Sequence, residues 1–217
     1  MTEQNFHAMR QAMVASQLRP NAVDDPRVIA AMDAVPRERF VPAERAAIAY
    51  VDTAIRLGDG RALNPPMALG RLLTRAEVAP TDSVLLIGAA TGYGAAVLAR
   101  LAARVVAVEA DAALAAQAKA ALADAANVAV VTGALAAGHG AGAPYDLIVI
   151  DGAVAEVPEA LVAQLADDGR LVTGLVEDGV TRLAIGRRGG TGFGLDAFAD
   201  ADTVLLPGFD KPPIFRF

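Results

Sequence analysis

Chemistry in this chain concentrates in a run of small residues, an acid a strand later, and a second acid closing another strand. Gly88-Ala89-Ala90-Thr91-Gly92 follows the apolar stretch 84–87, and Glu109 ends the next apolar stretch, 17 residues beyond Gly92. Glycine lets a backbone approach a ligand closely, and a carboxylate at a strand end can accept both hydroxyls of a ribose. The glycines at 88, 92 and 94 do not have the G-x-G-x-x-G spacing that sets a dinucleotide pyrophosphate on a helix N-terminus. The other reading of such a loop is a cradle for S-adenosylmethionine, its methionine part against the turn. Asp151 closes the stretch YDLIVID (145–151), at the edge where open α/β sheets place their ligands.

These residues need a frame, and the pattern supplies one. Strands are expected at 84–87, 105–108, 127–131, 145–151 and about 170–176, with helices over 111–124 and 156–166 between them. Near-continuous apolar strands alternating with helices imply a parallel sheet covered on both faces. The expected fold is therefore α/β, a Rossmann-like doubly wound sheet, mostly parallel. VTRLAIGRR and GFGLDAFA flank a glycine-rich turn and read as an antiparallel C-terminal hairpin. TVLLP (203–207) would add a strand or edge, and Phe215 and Phe217 in the tail are expected to pack.

Upstream lies an N-terminal helical and loop extension. Phe6, Met9 and Met13 share one helical face, and Asp25 before Pro26 marks the start of a second helix. Residues 36–66 show no clear periodicity, yet Phe40, Val41, Ile48, Tyr50, Ile55 and Leu57 argue that they pack; a long packed loop of this kind is usually functional. A helix over 67–77 follows. The division expected is an extension over 1–78, on the substrate side, and a core over 79–217.

The composition excludes several classes. There is no cysteine, so no disulfide or thiolate chemistry, in keeping with the cytoplasm. A net charge of −6 gives no reason to bind nucleic acid, and no apolar run has membrane-spanning length, although 54% of residues are hydrophobic. The only histidines are His7 and His139, with no triad. Asp151 lacks a convincing set of partner oxygens for a hard cation, so no metal is expected.

Taken together, RVIAAMDAVPRERFVP (27–42), AYVDTAIRLGDG (49–60), IGAATGYGAAVLARL (87–101) and APYDLIVIDGAVAEVPEALVAQLADDGRLV (143–172) resemble the protein-L-isoaspartate O-methyltransferase family in order and spacing. The resemblance covers roughly residues 9–175. It implies S-adenosylmethionine-dependent methylation of L-isoaspartyl (and D-aspartyl) residues in protein repair, with peptides or proteins bearing them as partners. It also implies a cofactor site at Gly88, Ala89, Ala90, Thr91, Gly92, Tyr93, Glu109, Ala110, Gly133, Ala134, Leu135 and Asp151. Asn64 stands where the family carries a serine that orients the substrate carboxylate.

The chain departs from the family pattern at named positions. Leu86 replaces an acid two residues before the glycine turn, Ala134 an acid near the adenine, and Ala90 the central glycine of the turn. Pro65 follows Asn64 in place of a glutamine. Losing two polar partners at ~1–3 kcal/mol each predicts weaker cofactor binding. Two further readings stay open on sequence: another O-methyltransferase on this scaffold with Asp151 at its acceptor site, and a non-catalytic binding member.

Overall fold

The computed structural model describes residues 5–58, 60–177, 179–190 and 192–209; the tail phenylalanines lie outside these. In the extension, α1 (Phe6–Met13) is capped by Asn5, whose Oδ1 accepts from the Ala8 amide at 3.0 Å. It continues as a wider turn over Val14–Leu18 and closes with a 3-10 turn at Arg19–Asn21. Helix α2 (Pro26–Ala34) begins as its sequence dictates, with Pro26 at the first position and the Asp25 carboxylate accepting from the Arg27 amide at 2.8 Å.

The stretch expected to be irregular holds two 3-10 turns, Arg37–Phe40 and Ala43–Ile48, and a hairpin, β1 (Ile55–Gly58) with β2 (Arg61–Leu63). The hairpin was not read from the sequence, because its strands are too short to show a period. Helix α3 (Pro66–Ala76) leads into the core: β3 (Ser83–Ile87), α4 (Tyr93–Leu98), β4 (Arg104–Glu109), α5 (Ala112–Ala121), β5 (Val128–Thr132), β6 (Tyr145–Val154), α6 (Glu159–Val162), β7 (Leu165–Glu177), β8 (Val180–Gly189) and β9 (Gly192–Asp200).

The seven-stranded sheet has the order β5-β4-β3-β6-β7-β8-β9, parallel from β5 through β7 and antiparallel thereafter. The doubly wound core and its C-terminal hairpin are thus as the sequence implies. Alternation along the strands divides the interior into two apolar clusters, one on each face of the sheet. Val84, Leu86, Val105, Ala107, Leu147 and Val149 point to one; Leu85, Ile87, Val106, Val108, Ile148 and Ile150 point to the other. The first cluster also takes in Met13, Val23, Met32, Phe40 and Tyr50, so the extension packs on that face.

Two elements differ from expectation. The helix expected over 156–166 is a single turn, because Leu165 already pairs with Tyr145 and commits the chain to extended backbone. The segment around TVLLP makes one isolated bridge, Leu205 with Ala153, rather than a strand. No helix among the described residues is long and apolar enough to cross a membrane.

Candidate functional site

The switch in strand order between β3 and β6 puts the glycine turn, Glu109 and Asp151 together at the C-terminal edge of the sheet. The turn leaves β3 through Gly88 (φ +82°), Ala90 (φ +50°) and Gly92 (φ +101°). The amides of Gly88 and Ala89 both donate to the Val108 carbonyl at 3.0 Å, which binds the turn to the end of β4. Ala90 holds a left-handed conformation that an L-residue adopts at a cost of roughly 1–2 kcal/mol. Its amide donates to the Glu109 carboxylate at 2.6 Å, which fixes it there.

Glu109 is fully buried, not the solvated strand-end acid that a plain αβ turn would carry. Its carboxylate accepts from the amides of Ala110 (2.9 Å) and Asp111 (3.1 Å), and from Arg61, through Nη2 at 2.6 Å and Nε at 3.2 Å. Arg61 is a residue that sequence reasoning missed. The available signal was an arginine in an inward position of β2, where alternation calls for an apolar side chain; only 5% of it is exposed.

Asp151 and Asn64 meet directly. Asn64 Nδ2 donates to Asp151 Oδ1 at 2.7 Å, and Asn64 Oδ1 accepts from the Val204 amide at 2.7 Å. Burial pushes the Asp151 carboxyl above the ordinary aspartate range, opposed by the Asn64 hydrogen bond and the positive charges of Arg37 and Arg61. Asp151 therefore does not cap the following turn. A Cβ on Gly94 would lie 2.9 Å from Asp151 Oδ2, so any larger residue there would have to displace the Asp151 carboxylate. Asp146, further back on β6, accepts from the Ser83 amide and takes no part in the edge.

The extension supports this edge from beneath. Arg37, 1% exposed, donates to the carbonyls of Ala49 (2.8 Å) and Asn64 (2.5 Å), with its guanidinium 4.6 Å above the Tyr93 ring. Phe40 packs edge-on against the same ring at 5.8 Å, and Thr91 Oγ1 donates to the Phe40 carbonyl at 2.5 Å. Tyr93 and Thr91 thus spend their side chains on this anchorage, and Leu135 packs in the second apolar cluster. Their side chains are not brought to the edge, whereas Gly133 is, its amide donating to the Glu109 carbonyl at 3.0 Å. Ala134 is exposed beside it. Leu206 closes the far side: a Cβ on Gly88 would meet its Cδ1 at 3.0 Å.

Among the described residues no cluster of three His, Asp or Glu side chains could hold a metal. A groove of about 540 Å³ lies elsewhere, lined by Pro36, Phe40, Ala96, Arg100, Ala121 and Asn127, away from the acids of the sheet edge.

Comparison with known proteins agrees with this geometry. The chain is 40% identical over 165 residues to a protein-L-isoaspartate O-methyltransferase from Methanoculleus marisnigri, covering 75% of each chain. It is 41% identical over 201 residues to the one from Methylorubrum populi, covering 92% of this chain and 95% of that one. Among solved structures, a protein-L-isoaspartate O-methyltransferase superposes with a TM-score of 0.75 at 22% identity, over 94% of this chain and 65% of that one. A Plasmodium falciparum protein described as a β-aspartate methyltransferase, in complex with S-adenosyl-L-homocysteine, superposes with a TM-score of 0.78 at 19% identity, over 94% of this chain and 99% of that one. At those identities the two structures speak to the fold. The relatives favour neither another O-methyltransferase on this scaffold nor a non-catalytic binding member. The model of the Protein-L-isoaspartate(D-aspartate) O-methyltransferase family matches residues 8–190, and the chain belongs to that family.

Proposed function

We propose that the protein is an S-adenosylmethionine-dependent carboxyl methyltransferase acting on L-isoaspartyl and D-aspartyl residues of peptides and proteins. The observation that carries this reading is that Glu109, buried beside a positive-φ turn at the end of β4, and the Asn64–Asp151 pair, with Asp151 on β6, flank the turn that leaves β3 between them. Residue types and placement fit the cofactor. Glu109 would hold the ribose, the backbone of residues 88–92 would lie along the methionine end, and Gly133, Ala134 and Leu135 would border the adenine. The cofactor supplies an electrophilic methyl on a sulfonium, for in-line transfer to a carboxylate oxygen.

The acceptor carboxylate has a pKa near ~4 and is ionised at neutral pH, so the chain needs no general base. What remains is to position the acceptor and exclude water. Asn64 is the side-chain donor at the acceptor edge, and Arg37 holds its backbone in place. Asp151 would repel an incoming anion if fully charged. Burial disfavours that charge most strongly, while the Asn64 hydrogen bond and the positive charges of Arg37 and Arg61 favour it. The substrate would approach from the side of the 1–78 extension. A cytoplasmic setting belongs to the same proposal, supported by a cysteine-free chain.

The test is methyl transfer from labelled S-adenosylmethionine to an isoaspartyl peptide and to its aspartyl twin. Transfer to the first alone is expected. No transfer, or equal transfer to both, refutes the reading.

A further inference from the structure

We propose that Arg61 sets the affinity of the nucleoside crevice: its guanidinium and a vicinal diol compete for the same carboxylate, so binding requires the β1–β2 hairpin to withdraw Arg61 from Glu109. The inference rests on the proposed cofactor reading and adds a residue to it.

The hydrogen-bond count at Glu109 is the starting point. A carboxylate offers about four lone-pair sites. Glu109 accepts five hydrogen bonds, two from Arg61 and one each from the amides of Ala90, Ala110 and Asp111. No site remains for two ribose hydroxyls. The three amides belong to the glycine turn and the β4 end, and they cannot leave without unmaking both. Arg61, which makes two of the five bonds, is the one side chain among the four donating residues, and therefore the replaceable one.

The pair is also poised to open. Arg61 Nη1 is buried without a hydrogen-bond partner, in a side chain only 5% exposed. Withdrawing the arginine returns that orphaned group to water and recovers a desolvation cost that a buried ion pair rarely repays in full. The element that carries it is slight. The two strands have four and three residues and form a separate two-stranded sheet, not part of the central one. Such a hairpin has little stability of its own. Its far end is pinned, because Arg37 holds the Asn64 carbonyl, so the movement pivots just before Asn64 and leaves the acceptor edge in place.

The experiment is calorimetric titration of the wild type and Arg61→Gln with S-adenosylhomocysteine. Glutamine is too short to hold both carboxylate oxygens, and the three amides still support Glu109. Arg61→Gln is expected to bind about tenfold tighter, the factor lost when a competent state is populated at roughly 10%. Equal or weaker binding by the variant overturns the competition and makes Arg61 a ligand contact. A second measurement needs no variant. In the wild type, saturating S-adenosylhomocysteine should speed amide hydrogen exchange in β1 and β2 while slowing it in the glycine turn; slowed or unchanged exchange in the hairpin overturns the proposal. Absence of binding by both proteins, each melting cooperatively, would instead overturn the cofactor reading beneath it.

Discussion

Replacing Asn64 with alanine tests the acceptor edge most directly, because one side chain there satisfies a buried carboxylate and a half-buried amide. Asn64→Ala removes the 2.7 Å bond to Asp151 Oδ1 and the 2.7 Å bond from the Val204 amide, and leaves both partners inside the protein. An orphaned buried polar group costs about 1–3 kcal/mol, so two would cost about 2–6 kcal/mol if they added. They share one network, which makes simple addition unsafe, and Asp151 can shed part of its share by taking up a proton. About 2–4 kcal/mol is the working expectation. At roughly 2–4 °C per kcal/mol for a chain of this size, the melting temperature should fall by about 4–16 °C. Thermal denaturation followed by circular dichroism measures the stability, and methyl transfer to an isoaspartyl peptide measures the function. The variant should lose transfer at a temperature where it is still folded, while S-adenosylhomocysteine affinity changes little. A melting temperature within about 2 °C of wild type, the equivalent of about 0.5–1 kcal/mol, would refute the bridging account. Undiminished transfer would remove Asn64 from the site.

Glu109→Gln removes the counter-charge of Arg61, which can then withdraw to water with its hairpin; a loss of only about 1–3 kcal/mol is expected in chemical denaturation, together with loss of nucleoside binding in calorimetry. The folded protein holds the Asp151 proton more tightly than the unfolded chain does, because burial raises its pKa above 3.8. That contribution is therefore intact at acid pH and declines as pH rises from 3.8 through the raised folded value. Asp151→Asn should abolish the decline and melt no lower than wild type at neutral pH; a melting curve that keeps the wild-type pH dependence would contradict this. Thr91→Val forfeits the bond to the Phe40 carbonyl and should cost about 1 kcal/mol, or about 2–4 °C in melting temperature, with no change that valine's shape alone could explain.

The core was readable because its strands are apolar nearly throughout. Stretches such as 105–108 and 145–150 have one backbone solution when both faces must be covered, and the acid that follows each, Glu109 or Asp151, is carried to the C-terminal side of the sheet. The turn was readable for the related reason that only small residues suit its positive φ values. What escaped depends on partners distant in sequence. Nothing local to Arg61 announces that it meets an acid 48 residues away, and Arg37 reaches Asn64 across 27 residues. The β1–β2 hairpin escaped because three or four residues cannot establish a period. Helix 156–166 was overextended because a helical apolar pattern does not show where strand pairing will take over.

Arg37 has a consequence that reaches beyond its own burial. One guanidinium lies over the ring that begins α4 and grips the carbonyl of the residue facing Asp151. On the proposed reading, the distance from the methyl-donor side of the crevice to its acceptor side would thereby be set by a single rigid, planar group, much as a spacer sets the gap between two plates. A change at position 37 would not weaken donor binding or acceptor binding separately; it would put the two out of alignment. In-line transfer is sensitive to misplacement on the ångström scale, so such a variant could bind both partners normally and still turn over slowly.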